Sequence, residues 1–453
     1  MENQIYSKIF RAYDIRGIYP NEINEDFAYE LGKALSSYFC CRNKKVVINS
    51  DVRISSESLK NSIIKGLVES GMDVIDIGIN PTPLCNLAVI LLNCRFGVTI
   101  TASHNPKEWN GFIINDKGLE LGLDYGLSKV KEIFISKNFK KTSRIGNVQK
   151  INIEELYIKY LKDKFCFESD LKVLIDAGNG AASELAPKIV KMFNKGNVIE
   201  LYCRFDGNFP NRSPEPKKEN LSKLIEKILT EKADIGFAYD GDADRVVIVD
   251  EKGNVLSSHQ ILSLLMHSYG KKMKNKKVVI EVLSSLAAIE EIKKFGAKPI
   301  VSKVGRCYIQ REMFKNKAFL GAEISYHFYV KENFYLDDTI FITLKILEFL
   351  SKTNKKVSEI VKDVPSYYYE TKRIETKEEL KFKIVEELKE EFKDYKIETI
   401  DGVKIWIDKD SWITVRASNT EPKISIAYES KSEKRFEELK QIVERIAEKI
   451  KIS

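Results

Sequence analysis

Tyr239-Asp240-Gly241-Asp242-Ala243-Asp244-Arg245 sets three carboxylates at alternate positions directly after the apolar run Ile235 to Ala238. Side chains two residues apart in an extended loop fall on one side, so the spacing predicts three hard oxygen ligands converging on one cation. Mg²⁺ suits such a set because it keeps coordination positions open for a phosphate oxygen. A calcium loop fits less well: Glu251 stands twelfth from Asp240, but Arg245 takes the sixth position, where that loop requires glycine. A solvated acidic turn is the plain alternative.

Two further segments could do complementary chemistry. Ser103, in Ala102-Ser103-His104-Asn105-Pro106, follows the apolar run Val98-Thr99-Ile100, so it is expected just past the carboxyl end of a strand, where open α/β sheets place ligands. A serine needs a base, a metal or an electrophilic neighbour to act as a nucleophile; taken alone, the segment also reads as an Asx-Pro turn. Arg416-Ala417-Ser418-Asn419-Thr420-Glu421-Pro422 offers a guanidinium fork followed by hydroxyl and amide donors. That inventory suits a phosphate dianion, or simply a well-bonded surface turn.

The elements that must carry these segments alternate in type. An amphipathic stretch from Phe27 to Phe39, the run Val46-Val47-Ile48, a helical stretch from Leu59 to Val68 and the run Val74 to Ile77 predict βαβ units on a largely parallel sheet. The alternation restarts at Val173 and again at Val278, in rounds of about 100 residues. Strand-like segments Val403 to Ile407 and Ile424 to Tyr428 then precede a terminal helix with Phe436, Leu439, Ile442, Val443, Ile446 and Ile450 on one face. The expected fold is three similar α/β domains, 1–149, 150–251 and 252–364, and a C-terminal α+β domain, 365–453.

Composition excludes several classes. The formal charge of +8 comes from 74 basic and 66 acidic residues with the signs mixed along the chain, which is a solvated surface and not a nucleic-acid footprint. No uncharged apolar run reaches the ~18 residues of a membrane span. The seven cysteines show no CxxC pairing and fit reduced thiols, so a cytoplasmic protein acting on small molecules, with no nucleic-acid or membrane partner, is expected.

In their order along the chain these segments resemble the α-D-phosphohexomutase superfamily. Phe10-Arg11-Ala12-Tyr13-Asp14-Ile15-Arg16-Gly17 is similar to that family's N-terminal motif, Asp176-Ala177-Gly178-Asn179-Gly180 to the start of its second domain, and Asp206-Gly207-Asn208-Phe209-Pro210 to a later loop. The resemblance implies four domains around a central cleft and an enzyme that exchanges a phosphoryl group between hexose C6 and C1. It implies a phosphorylated Ser103, which with Asp240, Asp242 and Asp244 holds one Mg²⁺ per chain, and a hexose 1,6-bisphosphate intermediate. Arg16, His104, Arg245 and His327 take catalytic roles by the same resemblance. Gly321-Ala322-Glu323-Ile324-Ser325-Tyr326-His327 stands in place of the sugar loop, so Glu323 and Ser325 are expected on sugar hydroxyls. Tyr13, Lys303, Gly305 and Arg306 join them in binding substrate, and Arg416, Ser418, Asn419 and Thr420 hold its phosphate.

The loop pattern is nearer to phosphomannomutase/phosphoglucomutases than to phosphoglucosamine mutases, which usually carry Gln at the place of Ile324 or Asn at that of Ser325. Two departures stand out. Asn110-Gly111-Phe112-Ile113 has isoleucine where the family commonly has lysine, with Lys117 or His104 the candidates to supply that charge, and Tyr326 replaces a glycine. A phosphoglucosamine mutase, a sugar phosphatase and a sugar-phosphate-binding protein impaired in catalysis are the alternatives, with a monomer or homodimer expected. His259 and His267, on a helical stretch, read as structural.

Overall fold

This computed structural model describes residues 8–39, 44–377, 379–418 and 423–452. They form two compact units, one from the chain up to Tyr269 together with Ser325–Lys362, the other from Gly270–Ile324 together with the chain from Asp363 onward.

The first unit holds two sheets. Strands β1 (Ile15–Ile18), β2 (Lys45–Ser50), β3 (Asp73–Ile79), β4 (Phe96–Ile100), β5 (Trp109–Asp116), β6 (Leu119–Glu120) and β7 (Val148–Lys150) make one, in the order β1-β5-β4-β2-β3-β7 with β6 beside β5. Pairs β2/β3, β2/β4 and β3/β7 are parallel, whereas β5 is antiparallel to both β4 and β1. The crossovers are helices α1 (Glu25–Phe39), α2 (Ser56–Glu69) and α3 (Thr82–Leu91). Helix α1 buries Phe27, Leu31, Leu35 and Phe39 at intervals of four, which puts them on one stripe against the sheet. Each fully buried side chain of this kind contributes about 1.5–3 kcal/mol relative to exposure.

The second sheet has β8 (Val173–Asp176), β9 (Val198–Leu201), β10 (Ile235–Tyr239) and β11 (Val246–Asp250), ordered β11-β10-β8-β9. Strands β10 and β11 are every residue buried, as a sheet covered on both faces demands. Helix α4 (Ser258–Tyr269) contains His259 and His267. His267 stacks on Phe349 at 6.2 Å, a packing role.

In the second unit β12 (Lys277–Glu281) runs parallel to both β13 (Lys298–Ser302) and β14 (Leu320–Ala322). An antiparallel sheet follows, with β15 (Tyr368–Glu375), β16 (Lys396–Glu398), β17 (Val403–Asp408), β18 (Ser411–Ala417) and β19 (Lys423–Ser430) in the order β15-β19-β18-β17-β16. The terminal helix α5 (Glu433–Ile452) lays Leu439, Val443, Ile446 and Ile450 into its core. Glu429 on β19 is buried yet satisfied, accepting from Ser285 Oγ, Leu286 N and Trp412 Nε1.

Candidate functional site

Ser103 lies three residues beyond β4 and takes a left-handed backbone, φ 52°. A non-glycine residue there stores strain that its surroundings must hold. Arg53 supplies much of that hold. Its guanidinium donates to the carbonyls of Ser103 (2.8 Å), Asn105 (2.7 Å), Pro106 (2.6 Å) and Trp109 (3.0 Å), while its Nε donates to Asp51 at 2.9 Å. Arg16 on β1 donates to the Ala102 carbonyl and to Asn105 Oδ1, at 3.0 and 2.6 Å. Two guanidiniums thus spread positive charge beneath the Ser103 loop.

The aspartate loop meets this serine directly. Ser103 Oγ is 3.2 Å from Asp240 Oδ2 and 3.1 Å from His104 Nδ1. Ligand oxygens of Asp240, Asp242 and Asp244 all lie within 4.8 Å of one another, and all three residues are fully buried. The convergence does not come from an extended loop, as the alternate spacing predicts. The segment is a tight turn, with Ala243 N bonded to the Asp240 carbonyl at 3.2 Å and Ala243 left-handed at φ 58°. Gly241 is required by close approach, since a Cβ there would sit 2.6 Å from the Ser103 carbonyl oxygen.

Burial, then the charges of Asp244 and Asp242, push the Asp240 carboxyl well above the usual range, with Arg245 opposing. Three buried carboxylates this close need a counter-ion, and an all-oxygen anionic set fits a hard divalent cation. Thr82, first residue of α3, donates through Oγ1 to Asp242 Oδ2 at 2.5 Å and through its amide to the Asp242 carbonyl at 2.9 Å. A helix N-terminus therefore faces the anionic loop.

Arg245 links this centre to His327: Arg245 Nε donates to His327 Nε2 at 3.0 Å, and His327 Nδ1 lies 3.8 Å from Asp244 Oδ1. On the other side His327 Nδ1 meets Asp337 Oδ2 at 3.1 Å. The Arg245 and Asp337 contacts select the Nδ1–H tautomer of a neutral ring. Asp337 is placed by its neighbour Asp338, whose buried carboxylate caps the helix Thr339–Ser351 at Phe341 N and accepts from Tyr157 Oη.

Both departures from the family pattern acquire a physical reading. Ile113 is a buried strand residue opposite Thr99. Lys117 cannot stand in for a lysine there: β5 runs antiparallel to β4, so Lys117 sits past Asp116, which pairs with Phe96, about 14 Å along the strand from the Ser103 end. Tyr326 occupies a left-handed position, φ 70°, where glycine is the natural choice, and its ring packs on the cluster around Leu174, Leu224 and Val247.

In the second unit, Gly305 at φ 125° caps the helix Arg306–Asn316, a conformation only glycine adopts readily. Asp401 Oδ2 accepts from Val304 N and from Arg416 Nε, each at 3.1 Å, tying the Lys303–Arg306 segment to the arginine expected to clamp phosphate. Arg306, Glu323 and Arg416 are buried, and Ser418 donates its amide to the Lys423 carbonyl. Tyr13 lies in the turn between the Phe10–Ile15 bridge partners, and Ser325 is half-buried in the first unit. Asn419 and Thr420 lie outside the described residues. Arg53, Asp51, Thr82, Asp337 and Asp401 are absent from the sequence reading. Asp51-Val52-Arg53 had a usable signal, a charged pair just past the apolar run of β2; the others had none.

The chain matches four family descriptions: "Phosphoglucomutase/phosphomannomutase, alpha/beta/alpha domain I" over 7–141, domain II over 155–253, domain III over 257–368, and the C-terminal domain over 371–447. It is 35% identical over 437 residues to a phosphomannomutase/phosphoglucomutase of Pseudomonas syringae, covering 95% of this chain and 93% of that protein. It is also 35% identical, with 98% of each chain covered, to a probable phosphoglucosamine mutase of Pyrococcus horikoshii. The crystal structure of a phosphoglucomutase/phosphomannomutase family protein from Burkholderia thailandensis superposes with a TM-score of 0.89, at 26% identity and 98% coverage of both chains. Among the described residues no helix is long and apolar enough to cross a membrane.

Proposed function

The chain belongs to the phosphoglucomutase/phosphomannomutase family and is a phosphohexomutase, and we propose that Ser103 carries the phosphoryl group between the C6 and C1 oxygens of glucose and mannose phosphates. The observation that carries this reading is Ser103 Oγ at 3.2 Å from Asp240 within a buried aspartate triad.

Asp240, Asp242 and Asp244, with a phosphoryl oxygen on Ser103, are the residues that would hold Mg²⁺, which supplies charge neutralisation to the transferring group. Arg245, beside Asp240 and His327, adds a second positive charge. The acceptor hydroxyl of the sugar passes its proton to His327 Nε2 once Arg245 swings to the phosphoryl oxygens, and its oxygen forms the new P–O bond as the Ser103 Oγ–P bond breaks. Ser103 Oγ leaves with a proton, which His104 Nδ1 at 3.1 Å is placed to relay. The hexose 1,6-bisphosphate then turns end for end; Ser103 Oγ, giving its proton to His104, forms a bond to the other phosphorus as the sugar O–P bond breaks, and the leaving sugar oxygen takes back the proton from His327 Nε2, which restores the phosphoserine. Arg416 and Ser418 hold the phosphate that is not reacting.

A coupled assay across glucose 1-phosphate, mannose 1-phosphate and glucosamine 1-phosphate tests this, with released phosphate measured in parallel. Isomerisation of the first two with little phosphate release is expected. Phosphate release without isomerisation points to a phosphatase, preference for glucosamine 1-phosphate to the other branch of the family, and binding without turnover to an impaired enzyme; each would overturn the proposal.

A further inference from the structure

Glu281 ends β12, the central strand of its three-stranded parallel set, and is 2% exposed. Register puts it directly beside Ser302 at the end of β13, and one residue past the Ile280–Ala322 pair, level with Glu323. Glu281, Ser302 and Glu323 therefore form one row at the carboxyl ends of three parallel strands, where open α/β sheets place ligands. Glu281 Oε1 accepts from Ile324 N at 2.9 Å. Its Oε2 is buried with no hydrogen-bond partner among the described residues. Arg416, whose charge acts on Glu281, is already paired with Asp401.

We propose that Glu281 is a positioning residue for the sugar-reading loop, acting on Ile324 and Glu323 from beneath without touching the substrate. The inference rests on the reading that Glu323 binds sugar hydroxyls. A buried carboxylate with one amide donor, an empty second oxygen and a like charge alongside is costly to ionise, and burial followed by the charge of Glu323 pushes this carboxyl up to about 8. As an acid it anchors the loop and leaves Glu323 as the one negative charge facing the sugar. Once ionised, it repels Glu323 and the loop shifts. The groups facing Glu281 are Glu323, Arg416, Asp401, Tyr369 on β15, and Lys404, which donates to the adjacent Val282 carbonyl at 2.9 Å. Burial pushes the Lys404 ammonium down to about 8, so the two titrations must be separated by substitution. The substrate phosphate, whose second ionisation lies near ~6, is a dianion throughout this range.

The test is KM and kcat for glucose 1-phosphate from pH 7 to 9 in wild type, Glu281→Gln, Glu281→Ala and Glu323→Gln, each checked for thermal unfolding. If only the neutral acid supports binding, wild-type KM rises about tenfold over that range with kcat unmoved. Glu281→Gln, which still accepts from Ile324 N and cannot ionise, should match wild type at pH 7 and stay flat. Glu281→Ala should show a raised KM at every pH; if it does not fold, the Gln profile decides. A flat wild-type profile, or an alkaline rise that persists in Glu281→Gln and so belongs to Lys404, overturns the proposal. Unchanged KM in Glu323→Gln instead removes the sugar-loop reading, and this inference with it.

Discussion

Asp242→Asn should move stability and metal response in opposite directions. Asp242 shares its turn with Asp240 and Asp244, ligand oxygens within 4.8 Å, and at an effective dielectric of about 20 each ionised pair at that separation repels by about 3.5 kcal/mol. The raised Asp240 carboxyl means that the metal-free protein already sheds part of this by holding a proton. Arg53, whose guanidinium is attracted to Asp242, offsets more. A net relief of about 1–2 kcal/mol remains, and Asn can still accept from Thr82 Oγ1. At about 2–4 °C per kcal/mol for a domain of 150–250 residues, the metal-free Tm should rise by about 2–8 °C. Mg²⁺ at a hundred times Kd adds about 2.7 kcal/mol to wild type, and each tenfold loss of affinity in the variant removes about 1.4 kcal/mol of it. The pH dependence has a definite sign. A carboxyl raised in the folded state binds more protons there than in the unfolded chain, so its contribution is present below the ordinary aspartate value and lost as pH rises through the folded one. The Mg²⁺ increment should therefore grow with pH over that window, less steeply in the variant. Scanning calorimetry with EDTA or MgCl₂ at several pH values measures all of this. A lower metal-free Tm combined with an unchanged Mg²⁺ increment would exclude both the repulsion within the triad and its role as the cation site.

Ser103→Ala should abolish nearly all mutase turnover with circular dichroism unchanged; near-normal activity with hexose 1,6-bisphosphate supplied would exclude Ser103 as carrier. Asp337→Asn replaces the carboxylate that orients His327, a charge-assisted hydrogen bond of about 1.5–3 kcal/mol, so kcat should fall about 10- to 100-fold with KM little changed; a loss under twofold in steady-state kinetics would exclude that role. Thr82→Val removes the buried hydroxyl that donates to Asp242 Oδ2 and should cost about 1–3 kcal/mol in a denaturant titration; unchanged unfolding would show the 2.5 Å contact to be energetically idle.

Local pattern carries far in this chain. Strands β2, β3, β8, β10, β12, β17 and β19 and helices α1, α2 and α5 stand where apolar runs and helical spacing predict them, because period 2 and period 3.6 are properties of a few consecutive residues. The serine and the aspartate triad were legible for the same reason: each is a short segment at the end of an apolar run. Their meeting was not. Ser103 and Asp240 are 137 residues apart, and Thr82 and Asp242 160, and no local signal records which strand ends the packed sheets bring together. The turn at Ala243, the left-handed Ser103 and Tyr326, and the roles of Arg53 and Asp337 follow from that packing. Residue types and short spacing determined which chemistry the chain could do; burial and long-range contact decided which groups do it, since a buried guanidinium or carboxylate must take whatever partner the fold places beside it.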